Sequence, residues 1–159
     1  MLPIVMQLGL FEKPMDEHDY KYSHRCLMWL LECLTNCNRE YLKCFPHTPK
    51  LYAAGVRYTR EAGTEDWSGI KIGLRTKKMD CEDLGCWRVA ELREAGEPAM
   101  PRVKFRNVHG FWHYHIQLVR GDGRIEDPSR ILGMNTGHEG KPLSKVKMIR
   151  TFDADSLNE

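Results

Sequence analysis

Between about Asp16 and Cys44, apolar side chains return every three or four positions, at Leu27, Leu30, Leu31, Leu34, Cys37, Tyr41 and Cys44. That period predicts one long helix, ended by "FPHTP". Residues 3–11 alternate loosely and predict a short strand, closed by Lys13-Pro14. After Pro49 the period is lost: a short strand is expected around Val56 and Tyr58, and "AGTEDWSGIKIG" reads as loop. A second helix is expected from Cys81 to about Ala95, with Asp80 as N-cap, Asp83 as a capping-box partner and Gly96 as its left-handed stop. Then "AMPRVKFRNV", "FWHYHIQLVR" and "RIEDPS" read as antiparallel strands. In the middle one Trp112, Tyr114, Ile116 and Leu118 share one face, and His113, His115 and Gln117 the other.

These elements predict an α+β fold in which the long helix and the Cys81 helix pack on a small antiparallel sheet. The 159 residues suffice for a single domain, 1–159, expected to end in a mobile acidic tail at about 151–159. Charge adds little: 24 basic against 22 acidic residues, net +2, gives no reason to expect nucleic acid or a membrane surface as partner. The opening "MLPIVMQLGLFEKP" lacks the pattern of a secretory signal, and no apolar run approaches the roughly 20 residues that span a bilayer. A cytoplasmic protein with six reduced thiols is the expectation.

Candidate chemistry centres on Cys81. At 100° per residue Cys81, Gly85, Val89 and Leu92 share the face turned to the sheet, and Gly85 leaves room for close backbone approach. The helix N-terminus favours a thiolate, whereas Asp80, Glu82 and Asp83 oppose one. A cysteine nucleophile needs a base, and the base an orienting group. His113 and His115 are candidate bases, and Asp127 follows on the next strand. A loose turn at "RGDGR" sets His115 across from Asp127; a two-residue turn at Asp122-Gly123 sets Leu118 there instead.

The order of Asp-Cys at a helix start, "ELREAGEPAMPRV", "HIQLV" and "IEDPS" resembles the core of the transglutaminase-like and papain-like cysteine enzymes, over about Met79 to Met134. The wider run from "LYAAGVRYTRE" to "IEDPSRILGM" resembles small members of that superfamily encoded by tailed bacteriophages. The resemblance implies Cys81 as nucleophile, His115 as general base and Asp127 as its orienting carboxylate, with no cofactor. It implies an oxyanion site from the Cys81 N–H and an upstream donor, for which Trp67 is the candidate, and makes His113 a neighbour or substrate contact. Relatives often carry glycine before the Asp-Cys pair; Met79 stands here, and its bulk is expected to narrow the approach. The implied reaction is acyl transfer through a thioester, most simply hydrolysis of a protein, isopeptide or peptidoglycan peptide amide, with phage virion proteins as further partners. The alternative is a non-catalytic phage structural, assembly or binding module that keeps the fold.

Metal readings are weaker. Cys26, Cys33, Cys37 and Cys44 lie on one helix, where Cys26 and Cys33 are roughly 10 Å apart in rise, so core packing is expected. Cys86 falls about 140° around the helix from Cys81, against a shared zinc with His113 and His115. His18, His24, His47, His109 and His138 are expected at the surface, and Trp112 and Tyr114 in the core.

Overall fold

The computed structural model describes residues 17–60, 66–108 and 111–134. The expected first strand, His109, His138, the Trp112 side chain and the acidic tail lie outside the described residues. What is described is α+β. Helix α1 (Glu17–Cys44) leads through a short 3-10 turn (Leu51–Ala53) to β1 (Arg57–Tyr58), α2 (Ile70–Thr76), β2 (Lys78–Met79) and α3 (Cys81–Glu94). Then come β3 (Ala99–Val108), β4 (Phe111–Arg120), β5 (Ile125–Glu126) and the one-turn α4 (Pro128–Ile131). Strands β3, β4 and β5 form an antiparallel sheet in that order, and β1 pairs with β2 in parallel.

The long helix forms where its period predicts, but its buried stripe is partly polar: Tyr20, Ser23, Cys26, Leu27, Leu31, Thr35 and Asn38. Of the four α1 cysteines only Cys26 is buried; Cys33, Cys37 and Cys44 are exposed, against the expectation of core packing. Hydropathy missed Asn38, whose Oδ1 accepts from the Ile70 N–H at 3.0 Å and so fixes the start of α2. That helix takes the last four residues of the stretch expected to be loop and runs on to Thr76. Its C-cap, Lys77, takes a left-handed conformation with φ 62°.

Helix α3 lies between α1 and the sheet. Arg93 forks onto Glu32 of α1 at 2.7 and 2.8 Å, a bidentate pairing that fixes both distance and angle. One side of α3 joins Tyr20, Leu27, Leu31, Val103, Phe105 and Ile116 in a core around Cys81 and Cys86. Another brings Trp87 and Leu84 to Leu51, Val56, Ile70 and Met79. Met79 therefore turns inward, packing over Gly73 with only 2% of its surface exposed, and its bulk does not narrow an approach to Cys81.

Gly85 meets the sheet as its place on the helix predicts: a Cβ there would come 2.8 Å from Ile116 Cγ2. Alanine at this position gains up to about 1 kcal/mol of helix propensity but forces a fully buried neighbour to move, which typically costs about 1–3 kcal/mol. Gly85→Ala is thus expected to lower the thermal midpoint. A thermal melt showing an unchanged or raised midpoint would contradict this close packing.

Candidate active site

Asp127 and His115 come together. His115 Nε2 lies 2.9 Å from Asp127 Oδ2, and Gln117 Nε2 donates to the same oxygen at 3.1 Å. The cross-strand register differs from both expected turns: Leu118 pairs with Glu126 and Val119 with Ile125, the turn being closed by the Arg120 N–H on the Arg124 carbonyl with Gly123 at φ 82°. Extended by one residue, this register puts Gln117 across from position 127, so His115 reaches Asp127 on the diagonal. A two-residue offset keeps a side chain on the same face of a strand, whereas a one-residue offset reverses it. Contact therefore survives the change of register.

Asp127 also caps α4, its Oδ1 accepting the Arg130 N–H at 3.2 Å. Burial pushes its carboxyl up, but hydrogen bonds from His115, Gln117 and the Arg130 backbone outweigh this and hold it below the ordinary carboxylate range. The carboxylate is thus ionised at neutral pH. It occupies Nε2 of the ring, which leaves Nδ1 as the nitrogen able to take a proton.

Cys81 stands on the first turn of α3, where its backbone N–H is among those without an intrahelical acceptor. Its N-cap differs from expectation: the Asp80 side chain makes no capping hydrogen bond. Asp83 Oδ1 accepts the Ser68 N–H at 2.6 Å and ties the segment bearing Trp67 to α3. Trp67 is half-buried and packs against the cluster that contains Cys81. His113, in contrast, is exposed and sits across from Arg106, away from this cluster.

The sulfur is not placed as a ready nucleophile. Cys81 is 8% exposed, and its Sγ–H donates to Glu82 Oε2 at 3.0 Å. Burial first, then the Glu82 carboxylate, push the thiol well above its ordinary value, so the thiolate favoured by a helix N-terminus does not form at neutral pH. The Ile116 N–H works in the other direction by hydrogen-bonding the sulfur. Among the described residues no hydrogen bond joins Cys81 to His115. Alternation explains why: Ile116 and Leu118 face the helices, and His115 and Gln117 turn to the other side of β4. The two groups nonetheless flank one stretch of strand. The β5 ladder covers only Leu118 and Val119, so beyond them this edge of β4 carries no paired residue of β5.

No family model matches the chain. Neither does any curated protein or solved structure. Among the described residues no group of three or more His, Cys, Asp or Glu side chains is arranged to hold a metal ion, and no helix is long and apolar enough to cross a membrane. Cys86 is buried in the same cluster as Cys81 and donates to the Leu31 carbonyl at 3.3 Å. His18 and His47 are exposed as expected, but His24 is half-buried between Tyr20 and Phe105, where burial lowers its pKa.

The buried thiols give a pH dependence. Burial raises Cys86 as it does Cys81, while unfolded cysteine titrates near 8.5. Above that pH the unfolded chain binds fewer protons than the folded one, so the stability these thiols contribute is full below about pH 8.5 and declines as pH rises further. Each thiol can contribute a slope of up to about 1.4 kcal/mol per pH unit. Urea unfolding under reducing conditions from neutral pH to about pH 10 should show this fall, and Cys86→Ala should flatten it. A flat wild-type profile would contradict the burial of these sulfurs.

Proposed function

We propose that the chain is a cysteine-dependent acyl-transfer enzyme with a transglutaminase-like core, most simply an amide or peptide hydrolase, using Cys81, His115 and Asp127. The observation that carries this reading is the His115–Asp127 pair, two side chains from separate segments held at 2.9 Å with Nδ1 left to act as base. Two features support it further: Cys81 lies at a helix start beside the Ile116 backbone, one residue along β4 from His115, and Trp67 packs on the same cluster.

In the reaction, the Cys81 side chain must leave Glu82 and swing round the edge of β4 that β5 does not pair to meet His115 Nδ1, which takes its proton. The sulfur bonds to the amide carbonyl carbon, and the carbonyl electron pair moves to oxygen, stabilised by the Cys81 N–H with Trp67 as second donor. When the C–N bond breaks, the imidazolium protonates the departing amine and a thioester remains. Water, deprotonated by His115, then attacks and releases a carboxylic acid; an amine in its place gives a cross-link. The substrate amide belongs to a protein, an isopeptide or a peptidoglycan stem peptide, and a phage origin would fit virion proteins among the partners.

The second reading, a non-catalytic assembly or binding module with the same fold, is favoured by the burial of Cys81 and its bond to Glu82. Assaying protein, isopeptide and stem-peptide amides with wild type and Cys81→Ser separates the two. Amide cleavage or transfer by wild type alone supports the enzyme; equal background from both proteins across all three classes leaves the module.

A further inference from the structure

Glu82 is 1% exposed, yet its carboxylate is central to the surroundings of Cys81. Oε2 accepts the Cys81 thiol proton at 3.0 Å, and Oε1 accepts from the Tyr114 hydroxyl at 3.3 Å. Ionising the thiol in place would set a thiolate beside a buried carboxylate, two like charges in a medium that screens them poorly. The other titratable groups on this side of the sheet are Asp80 and Asp83 on α3, Tyr58 on β1, and Tyr20 on α1 with His24 stacked on it, while His115 faces the other side of β4. The two neighbours on α3 are carboxylates, Asp80 acting on the sulfur in the same sense as Glu82.

We propose that Glu82 is a positioning residue that latches the Cys81 thiol in its protonated form, so that the site rests closed until this carboxylate is moved or neutralised. The latch regulates the site of the acyl-transfer reading and depends on that reading for its purpose, but its chemistry is independent of any substrate. Nothing is consumed in it: the proton stays on sulfur while Glu82 accepts the hydrogen bond. Tyr114 holds the carboxylate from the other oxygen and withdraws part of its negative charge. Glutamine at position 82 keeps the shape, removes the charge and can donate N–H to a thiolate, which lifts the part of the bias due to Glu82 while that due to burial remains.

The test is the rate of iodoacetamide alkylation at Cys81 across pH, read by peptide mass spectrometry on the full chain so that exposed Cys33 and Cys44 serve as internal references. Glu82→Gln is expected to raise the Cys81 rate near neutral pH by about tenfold or more and to shift the profile to lower pH, as removal of an adjacent like charge requires. Tyr114→Phe is expected to do the opposite and slow it, because the carboxylate keeps its full charge. A general loosening of the site would speed both variants. Superimposable wild-type and Glu82→Gln profiles, or acceleration in Tyr114→Phe, would overturn the latch; if Glu82→Gln does not fold, the sign of the Tyr114→Phe change decides it. Failure of acyl transfer would show instead as absent turnover, which this alkylation does not measure.

Discussion

Replacing His115 by alanine should lower turnover of an amide substrate about 10²–10⁴-fold, the usual contribution of a positioned general base. The fold should survive, because His115 lies half-buried on the sheet face turned from the helices rather than among the packed side chains of α1 and α3. Asp127→Asn is the informative companion. The amide oxygen still accepts from the Arg130 N–H and keeps α4 capped, while the charge that orients the ring and stabilises its protonated form is lost. A large loss in His115→Ala with a smaller one in Asp127→Asn, at unchanged circular dichroism, is the expected pattern. Equal rates in wild type and His115→Ala would show that the ring plays no part.

The largest effect on stability is expected at Trp87. Its side chain is fully buried among Leu51, Ala54, Val56, Ile70, Met79 and Leu84, so it joins α3 to the 3-10 turn, β1, α2 and β2 at once. Truncation to alanine removes that apolar area and leaves a cavity that several short elements border, a loss of about 3–5 kcal/mol. Against a typical total of about 5–15 kcal/mol, this is enough to bring a domain near unfolding. Trp87→Phe should cost much less, since the indole Nε1 is buried without a hydrogen-bond acceptor and phenylalanine carries no donor to strand. Chemical denaturation of both variants checks the order; a Trp87→Ala protein as stable as wild type would contradict the packing.

Where the sequence was informative, a strong period or a fixed parity carried the signal. Helix α1 follows its three- and four-residue spacing, Gly96 ends α3 with φ 78°, and His115 meets Asp127 because alternation fixes their common face even when the register is off by two. What was missed has physical reasons too. Buried Ser23, Thr35 and Asn38 define the inner stripe of α1 as much as its leucines, so a hydropathy pattern rotated the helix and placed Cys33, Cys37 and Cys44 inward. Helix α2 starts on a hydrogen bond from a residue 32 positions away, which local propensity cannot register. Helix dipole and nearby carboxylates pull the ionisation of Cys81 in opposite directions, and burial, a tertiary property that local sequence does not carry, is the largest influence on it.

The proposed chemistry requires that Cys81 become acylated with His115 as its base. Intact-mass and peptide analysis after reaction with an activated peptide ester, whose acyl-enzyme hydrolyses slowly, tests it most directly. One acyl group per chain is expected, on Cys81, formed by wild type and lost in His115→Ala while exposed Cys33, Cys37 and Cys44 stay unmodified. Acyl groups spread over those exposed thiols, with Cys81 bare or labelled equally in both proteins, would contradict it.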